Sequence, residues 1–279
     1  MGIRVAYQGE RGAFSERAAR RLMGEEVETI PCPSFEEMFD SVGRDEADCC
    51  VAPIENSLAG SIHRNYDLLL QSKLTIAGET NLRIVHNLIA PPDVELGELR
   101  RVYSHPVALA QCTQFLRTNR TMEATAVHDT AGAVRLVMDR GRRDEAAIAS
   151  DDAAQIYGGR ILARGIEDNA QNYTRFLLLK HSERMLPMSP AEPRRWKTSI
   201  VFRVANKPGS LFRALGTFAL FDIDLAKIES RPVEGRPWEY AFYLDLVGRS
   251  DEPVIARALS NLGEMAETVT MLGSYPSRW

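Results

Sequence analysis

The chain has 279 residues, too long for one ordinary domain and sufficient for two. It is 44% hydrophobic and 26% charged, near the globular average, which excludes wholesale disorder, and its formal charge of −4 argues against a nucleic-acid binder. Residues 1–7 form no secretory signal, no charge-free run of about 18 apolar residues occurs, and the four cysteines and five histidines show no CxxC, HxH or HExxH spacing.

A soluble, cytoplasmic protein without metal, cofactor, nucleic-acid or membrane partner is therefore the expectation. From residue 3 to about 180, short β-rich runs alternate with amphipathic segments. Strands are expected at 4–8, 27–31 and 47–54, and helices at 14–23, with Ser15 as cap, 35–42 and 62–70. Residues 74–90 read as one long extended stretch. A short strand at 102–104 leads into a helix over 106–116, with Pro106 at its first position. A strand at 124–128, a helix at 131–138 and a strand at 146–149 continue the rhythm. This alternation predicts α/β sheets of mainly parallel strands, whose ligands bind beyond the strands' carboxyl ends. Residues 182–196 carry three prolines and no periodicity, which marks a linker. After it come strand 198–204, helix 211–221, strands 223–229 and 240–247, helix 254–262 and strand 268–272. That order is βαββαβ, the ferredoxin-like arrangement.

Five polar loops follow strands of the first part. The loop at 7–15 places Gly9 and Gly12 before a helix, but it is not GxGxxG, so a tight turn is its ordinary reading. The loop at 52–61 crowds Glu55, Asn56, Ser57, Gly60 and Ser61 behind the most apolar strand. Asn56 and Ser57 suit turn and cap duty, and their place at a buried strand's carboxyl end points to a ligand role. Ser104 and His105 invite a nucleophile–base reading. Strand neighbours face opposite sides, however, and no GxSxG is present, so a hydrolytic triad is disfavoured. Cys112 lies on an apolar helix and reads as core, while Asp129 or Thr130 reads as a helix cap. The last loop, Asn172-Tyr173-Thr174-Arg175-Phe176, sets a hydroxyl and a guanidinium where a strand enters an apolar layer. Together these loops are rich in amide, hydroxyl and N–H donors and poor in metal ligands. They suit a small, multiply anionic molecule handled by hydrogen bonding and proton transfer.

In this order the loops resemble prephenate dehydratase. The matching segments are GERGAFSE at 9–16, PIENS at 53–57 with Gly60-Ser61, and His86-Asn87-Leu88. Ser104-His105-Pro106 with Gln111-Cys112, Asp129-Thr130-Ala131, residues 147–150 with Tyr157-Gly158, and Thr174-Arg175-Phe176 complete the set. The C-terminal module resembles an ACT domain, with Glu229-Ser230-Arg231-Pro232 as its ESRP motif. The resemblance covers essentially the whole chain and implies the monofunctional enzyme with a C-terminal ACT domain. Its implied fold is a two-lobed catalytic domain over 1–181, like a type II periplasmic binding protein. The second lobe falls at about 78–164, the linker at 182–196 and the ACT domain at 197–279.

The reaction it implies is loss of carbon dioxide and water from prephenate to give phenylpyruvate, late in phenylalanine biosynthesis. Arogenate dehydratase and a non-catalytic amino-acid-binding regulator are the rival readings. By the same resemblance Thr174 hydrogen-bonds or protonates the leaving hydroxyl. Asn56, Ser57, Ser104, Gln111 and Thr130 orient the substrate, joined by Glu55, Gly60, Ser61 and Phe176. Arg175 binds a carboxylate or fixes the strand. Phenylalanine is the implied feedback effector, held by Asn206, Pro208, Gly209, Ser210, Leu211, Glu229, Ser230 and Arg231 in a homodimer or homotetramer. The family's usual effector loop reads Gly-Ala-Leu-Val, so Ser210 and Phe212 are departures that bear on effector identity.

Overall fold

The computed structural model describes residues 2–186 and 195–277. The chain divides into two compact units. Of the described residues the first holds 2–72 and 81–176, and the second holds 73–80, 177–184 and 195–277.

The first unit has two lobes. Its first lobe is built from β1 (Arg4–Gln8), α1 (Phe14–Met23), β2 (Glu28–Cys32), α2 (Phe35–Gly43), β3 (Cys49–Asn56), β4 (Gly60–Ser61), α3 (His63–Gln71) and the end of β5 (Leu74–Arg83), whose residues up to Thr80 belong to the second unit. The second lobe comprises β6 (Asn87–Ala90), β7 (Arg101–Ser104), α4 (Pro106–Ala110), α5 (Thr113–Thr118), β8 (Glu123–Ala126), α6 (Thr130–Arg140), β9 (Glu145–Ala149), α7 (Asp151–Tyr157) and β10 (Arg160–Ala163). The chain then returns as β11 (Tyr173–His181). Sheet order is β2-β1-β3-β11-β5 in the first lobe, with β4 on β3, and β10-β6-β9-β7-β8 in the second. β1 is parallel to β2 and β3, and β7 to β8 and β9, as expected of α/β crossovers. β6, however, runs antiparallel to both β9 and β10. The second unit adds β12 (Arg195–Arg203), α8 (Ser210–Ala219), β13 (Leu225–Pro232), β14 (Tyr240–Val247), α9 (Pro253–Met265) and β15 (Thr268–Ser277). Its antiparallel order, β13-β14-β12-β15, is the expected ferredoxin-like sheet.

Local chemistry sets these boundaries. Ser34, Asp129 and Ser150 each cap a helix by accepting a backbone N–H, from Glu37 at 3.2 Å, Gly132 at 2.6 Å and Ala153 at 3.0 Å. Gly141 and Gly158 end α6 and α7 in the left-handed region. The expected cap Ser15 is instead buried inside the first turn of α1. Glu16 takes up the free donor, accepting from Gly12 N at 2.7 Å. Gly12 has φ +85°, and a Cβ there would lie 2.7 Å from Ala153 Cα, so only glycine lets this loop meet α7.

Four other expectations are corrected. The stretch 74–90 is two strands broken at 84–86, where Ile84 N donates to Asn172 O at 2.8 Å. The helix over 106–116 is two, because Asp168 caps α5 from outside, accepting from Thr113 N at 3.0 Å and Gln114 N at 2.9 Å. The segment 124–128 leaves its strand after Ala126. β12 begins at Arg195, inside the stretch read as linker, whose residues 187–194 lie outside the described ones.

The second unit holds a buried ion pair. Lys197 Nζ lies 2.8 Å from Glu79 Oε1, with side chains 11% and 0% exposed, and Ser277 Oγ donates to the same carboxylate at 2.5 Å.

Candidate active site

The carboxyl end of β3 and the start of β11 bring their polar residues together. Asn56 Oδ1 accepts from two backbone donors of its own turn, Leu58 N at 3.0 Å and Ala59 N at 2.9 Å. Its Nδ2 therefore faces the other way. It donates to Asn172 Oδ1 at 2.7 Å and to Thr174 Oγ1 at 2.9 Å. Thr174 is buried, its oxygen is an acceptor here, and no described residue takes its proton. Gln111 reaches the cluster from the break between α4 and α5. Its Oε1 accepts from Asn172 Nδ2 and faces His86 Nε2, each at 2.9 Å, and its Nε2 donates to Asn56 Oδ1 at 3.3 Å. His86 is 2% exposed, and burial holds its pKa below the ordinary histidine value. Its Nδ1 is buried with no hydrogen-bond partner.

The Phe14 ring meets the His86 ring edge-on, centroids 5.9 Å apart. Phe14 also lines a cavity of about 430 Å³ with Ser15, Phe35, His105, His128 and Thr130. The start of α1 and of α6 opens on this cavity, and no Lys or Arg lines it. Glu36 and Asp129 also line it, and Asp129 already caps α6, so only the remaining N–H groups and positive dipole ends of the helix starts are left to meet an anion. Burial lowers the His105 pKa, which favours its neutral form there.

Other expected site residues are placed apart from the amide cluster. Ser104 is fully buried and donates to Ile148 O at 2.6 Å. Ser57 clips the turn to β11, donating to Gln171 O at 2.8 Å and accepting from Tyr173 N at 2.9 Å. Gly60 and Ser61 form β4, opposite Asn56 and Glu55 in register. Phe176 is core, and Arg175, also buried, follows Thr174 on β11 and so faces the opposite side. Cys112 is buried, and desolvation pushes its thiol up to about 12, which removes it as a nucleophile.

In the second unit Asn206, Ser210 and Leu211 line a cavity of about 80 Å³ with Trp238 and Tyr240. Asn206 Nδ2 donates to Trp238 O at 3.2 Å, and Gly209, following Pro208, takes φ +80° to start α8. Glu229, Ser230 and Arg231 sit on β13, away from that cavity's lining. Phe212 is 79% exposed and lines none of it either.

Asn172 and His86 stand inside named segments of the sequence but carry no expected role of their own. Asn172 stands two residues before Thr174, the spacing that puts both on one face of an extended segment. His86 could be seen only as part of a motif.

The model of the prephenate dehydratase family matches residues 5–184, and that of the ACT domain matches 198–264. An arogenate dehydratase/prephenate dehydratase 2, chloroplastic, from Arabidopsis thaliana is 46% identical over 98% of this chain and 73% of its own length. A prephenate dehydratase from Arthrobacter aurescens, solved in complex with L-Phe, superposes with a TM-score of 0.88 at 29% identity, covering 98% of this chain and 90% of its own. GqqA, described as a novel type of quorum-quenching acylase, gives a TM-score of 0.88 at 35% identity, covering 99% of this chain and 98% of its own. On the match over residues 5–184 and this identity along the whole chain, the protein belongs to the prephenate dehydratase family, lyases that here carry an ACT domain.

Proposed function

We propose that the protein converts prephenate to phenylpyruvate, with Thr174 supplying the hydrogen bond to the departing hydroxyl. The observation that carries this reading is the donor from Asn56 on Thr174 Oγ1, which leaves the threonine proton to point elsewhere. The bonds then balance simply. The ring carboxyl leaves as carbon dioxide, its electron pair aromatises the ring, and hydroxide departs, taking a proton to form water. A neutral threonine is a poor acid, so its contribution is a positioned donor where negative charge develops. The cavity at the starts of α1 and α6 receives the carboxylates, Gln111 and Thr130 orient the substrate, Ser104 steadies the second lobe through Ile148, and Arg175 fixes β11 from its other face.

The arogenate reading is favoured by the names of the relatives, since the Arabidopsis protein carries both. Arogenate differs from prephenate by an ammonium, which the cavity's two carboxylates, Asp129 and Glu36, would have to be free to bind. Asp129 is spent capping α6, and Glu36 is paired with Arg64 at 2.6 Å, so neither is set to hold an ammonium. Comparing turnover on both substrates decides it, and a kcat/KM higher on arogenate overturns the assignment.

The reading keeps a catalytic domain over 1–181 and an ACT domain over 197–279 that binds phenylalanine in a dimer or tetramer. Four buried free cysteines suit a reducing compartment such as the cytoplasm. Phenylalanine is expected to inhibit the full chain, and Glu229→Ala to raise the half-inhibiting concentration by about tenfold, the loss of one charge-assisted contact. An unchanged inhibition curve removes this segment from the effector site. Among the described residues no cluster of three or more His, Cys, Asp or Glu is placed to hold a metal ion. Turnover is accordingly expected to survive exhaustive chelation and dialysis, and recovery only on adding a metal back refutes this.

A further inference from the structure

We propose that Asn56, Asn172 and Gln111 form a closed, one-directional ring of carboxamides that dictates where the Thr174 proton points, with Asn172 and His86 as positioning residues. The inference rests on the reading of Thr174 as the donor to the leaving hydroxyl.

Each amide donates to the next. Asn56 Nδ2 donates to Asn172 Oδ1, Asn172 Nδ2 to Gln111 Oε1, and Gln111 Nε2 to Asn56 Oδ1. Such a ring has two senses. With each amide flipped it would run backwards, and Asn56 would then present an oxygen to Thr174. The hydroxyl proton would be consumed on Asn56 and lost to the substrate. One feature forbids that sense. The N–H groups of Leu58 and Ala59 both point at one Asn56 side-chain atom, which must be the oxygen. Asn56 thereby shows its NH2 to Asn172, which fixes the flip of Asn172 and in turn of Gln111. His86 completes the far side. Facing Gln111 Oε1, its Nε2 must carry the proton, so the buried Nδ1 is a bare lone pair. A simple cross-link between loops would need the contacts without any sense of direction.

Direction is what the test reads. In Asn172→Asp the ionised carboxyl still accepts from Asn56 but cannot donate to Gln111 Oε1, and two acceptors face each other. Protonation restores the donor. Facing an acceptor in a buried site disfavours the charged form, so the introduced carboxyl takes up its proton above the usual carboxylate range. The kcat of Asn172→Asp on prephenate is expected about 100-fold below wild type at pH 8, the scale of one lost preorganised donor. Its ratio to wild type should climb at least about tenfold as the pH falls to 5.5, with KM nearly unchanged. Gln111→Glu should show the same acid rescue. His86→Phe should lower kcat and His86→Gln should restore much of it, since the amide nitrogen can stand in for Nε2.

A ratio flat with pH in both carboxylate variants, with native circular dichroism, overturns the ring. So does His86→Gln no better than His86→Phe. Thr174→Ala measured alongside separates the two claims. Its loss of turnover with flat ratios leaves the hydroxyl reading standing and removes the ring. Acid rescue beside a fully active Thr174→Ala overturns the ring's assigned output.

Discussion

Thr174→Ala is expected to lower kcat by about two to four orders of magnitude, the range of a group that hydrogen-bonds or passes a proton in the transition state. The change deletes a methyl group and a hydroxyl, of which only the hydroxyl faces Asn56. KM should move little, because the interaction strengthens only as charge develops on the departing oxygen. Thr174→Ser keeps the hydroxyl but frees its rotor from the β-branched constraint, so it should retain most of the turnover lost in the alanine variant. Rapid-mix assays of phenylpyruvate formation check both. Near-normal turnover in Thr174→Ala refutes the assignment.

The second large effect is on stability. Glu79→Ala is expected to destabilise the second unit by about 3–5 kcal/mol, the cost of leaving a buried charge without its counter-ion. The Lys197 ammonium is held at 2.8 Å by that carboxylate, and both side chains are nearly out of water. Urea unfolding followed by tryptophan fluorescence measures it, since Trp196 neighbours Lys197 on β12. The companion experiment replaces both partners, Glu79→Leu with Lys197→Met. Removing the pair together should cost far less than either single loss, because neither partner is left buried without the other. Equal losses in the single and double variants would show that the pair contributes through packing alone.

Much of the fold is legible from period and punctuation. The apolar run before Asn56 announces β3, and Asp129 and Ser150 stand where caps stand. The errors share one cause, which is tertiary contact. Nothing near residue 112 breaks the helix there; the break follows from Asp168, 55 positions away, taking the donors that start α5. Ser15 has the chemistry of a cap, yet Glu16 reaches back to Gly12 and makes a cap one residue earlier unnecessary. The site divides the same way. Thr174, Asn56 and Gln111 are visible as polar groups near strand ends, but their mutual bonds span 118 and 55 residues. Only the fold shows that Phe176 is core and that Ser104 serves Ile148. His86 is legible only inside the His86-Asn87-Leu88 segment, because its place against Gln111, 25 positions away, exists only in the fold.

The strand order has a consequence for biosynthesis. β3, the most apolar strand, lies between β1 and β11, and the whole second lobe is made before β11 exists. From Asn56 to Tyr173 the ribosome adds about 117 residues, which at roughly 5–20 residues per second takes on the order of 6–23 s. Throughout that interval one edge of a Cys-Cys-Val-Ala-Pro-Ile strand has no partner. Loop closure over so long a separation is slow, so the nascent chain is most prone to self-association in this window. Chains arrested between Ser57 and Tyr173 are the ones that should cross-link to holdase chaperones, with the signal fading once β11 has cleared the exit tunnel.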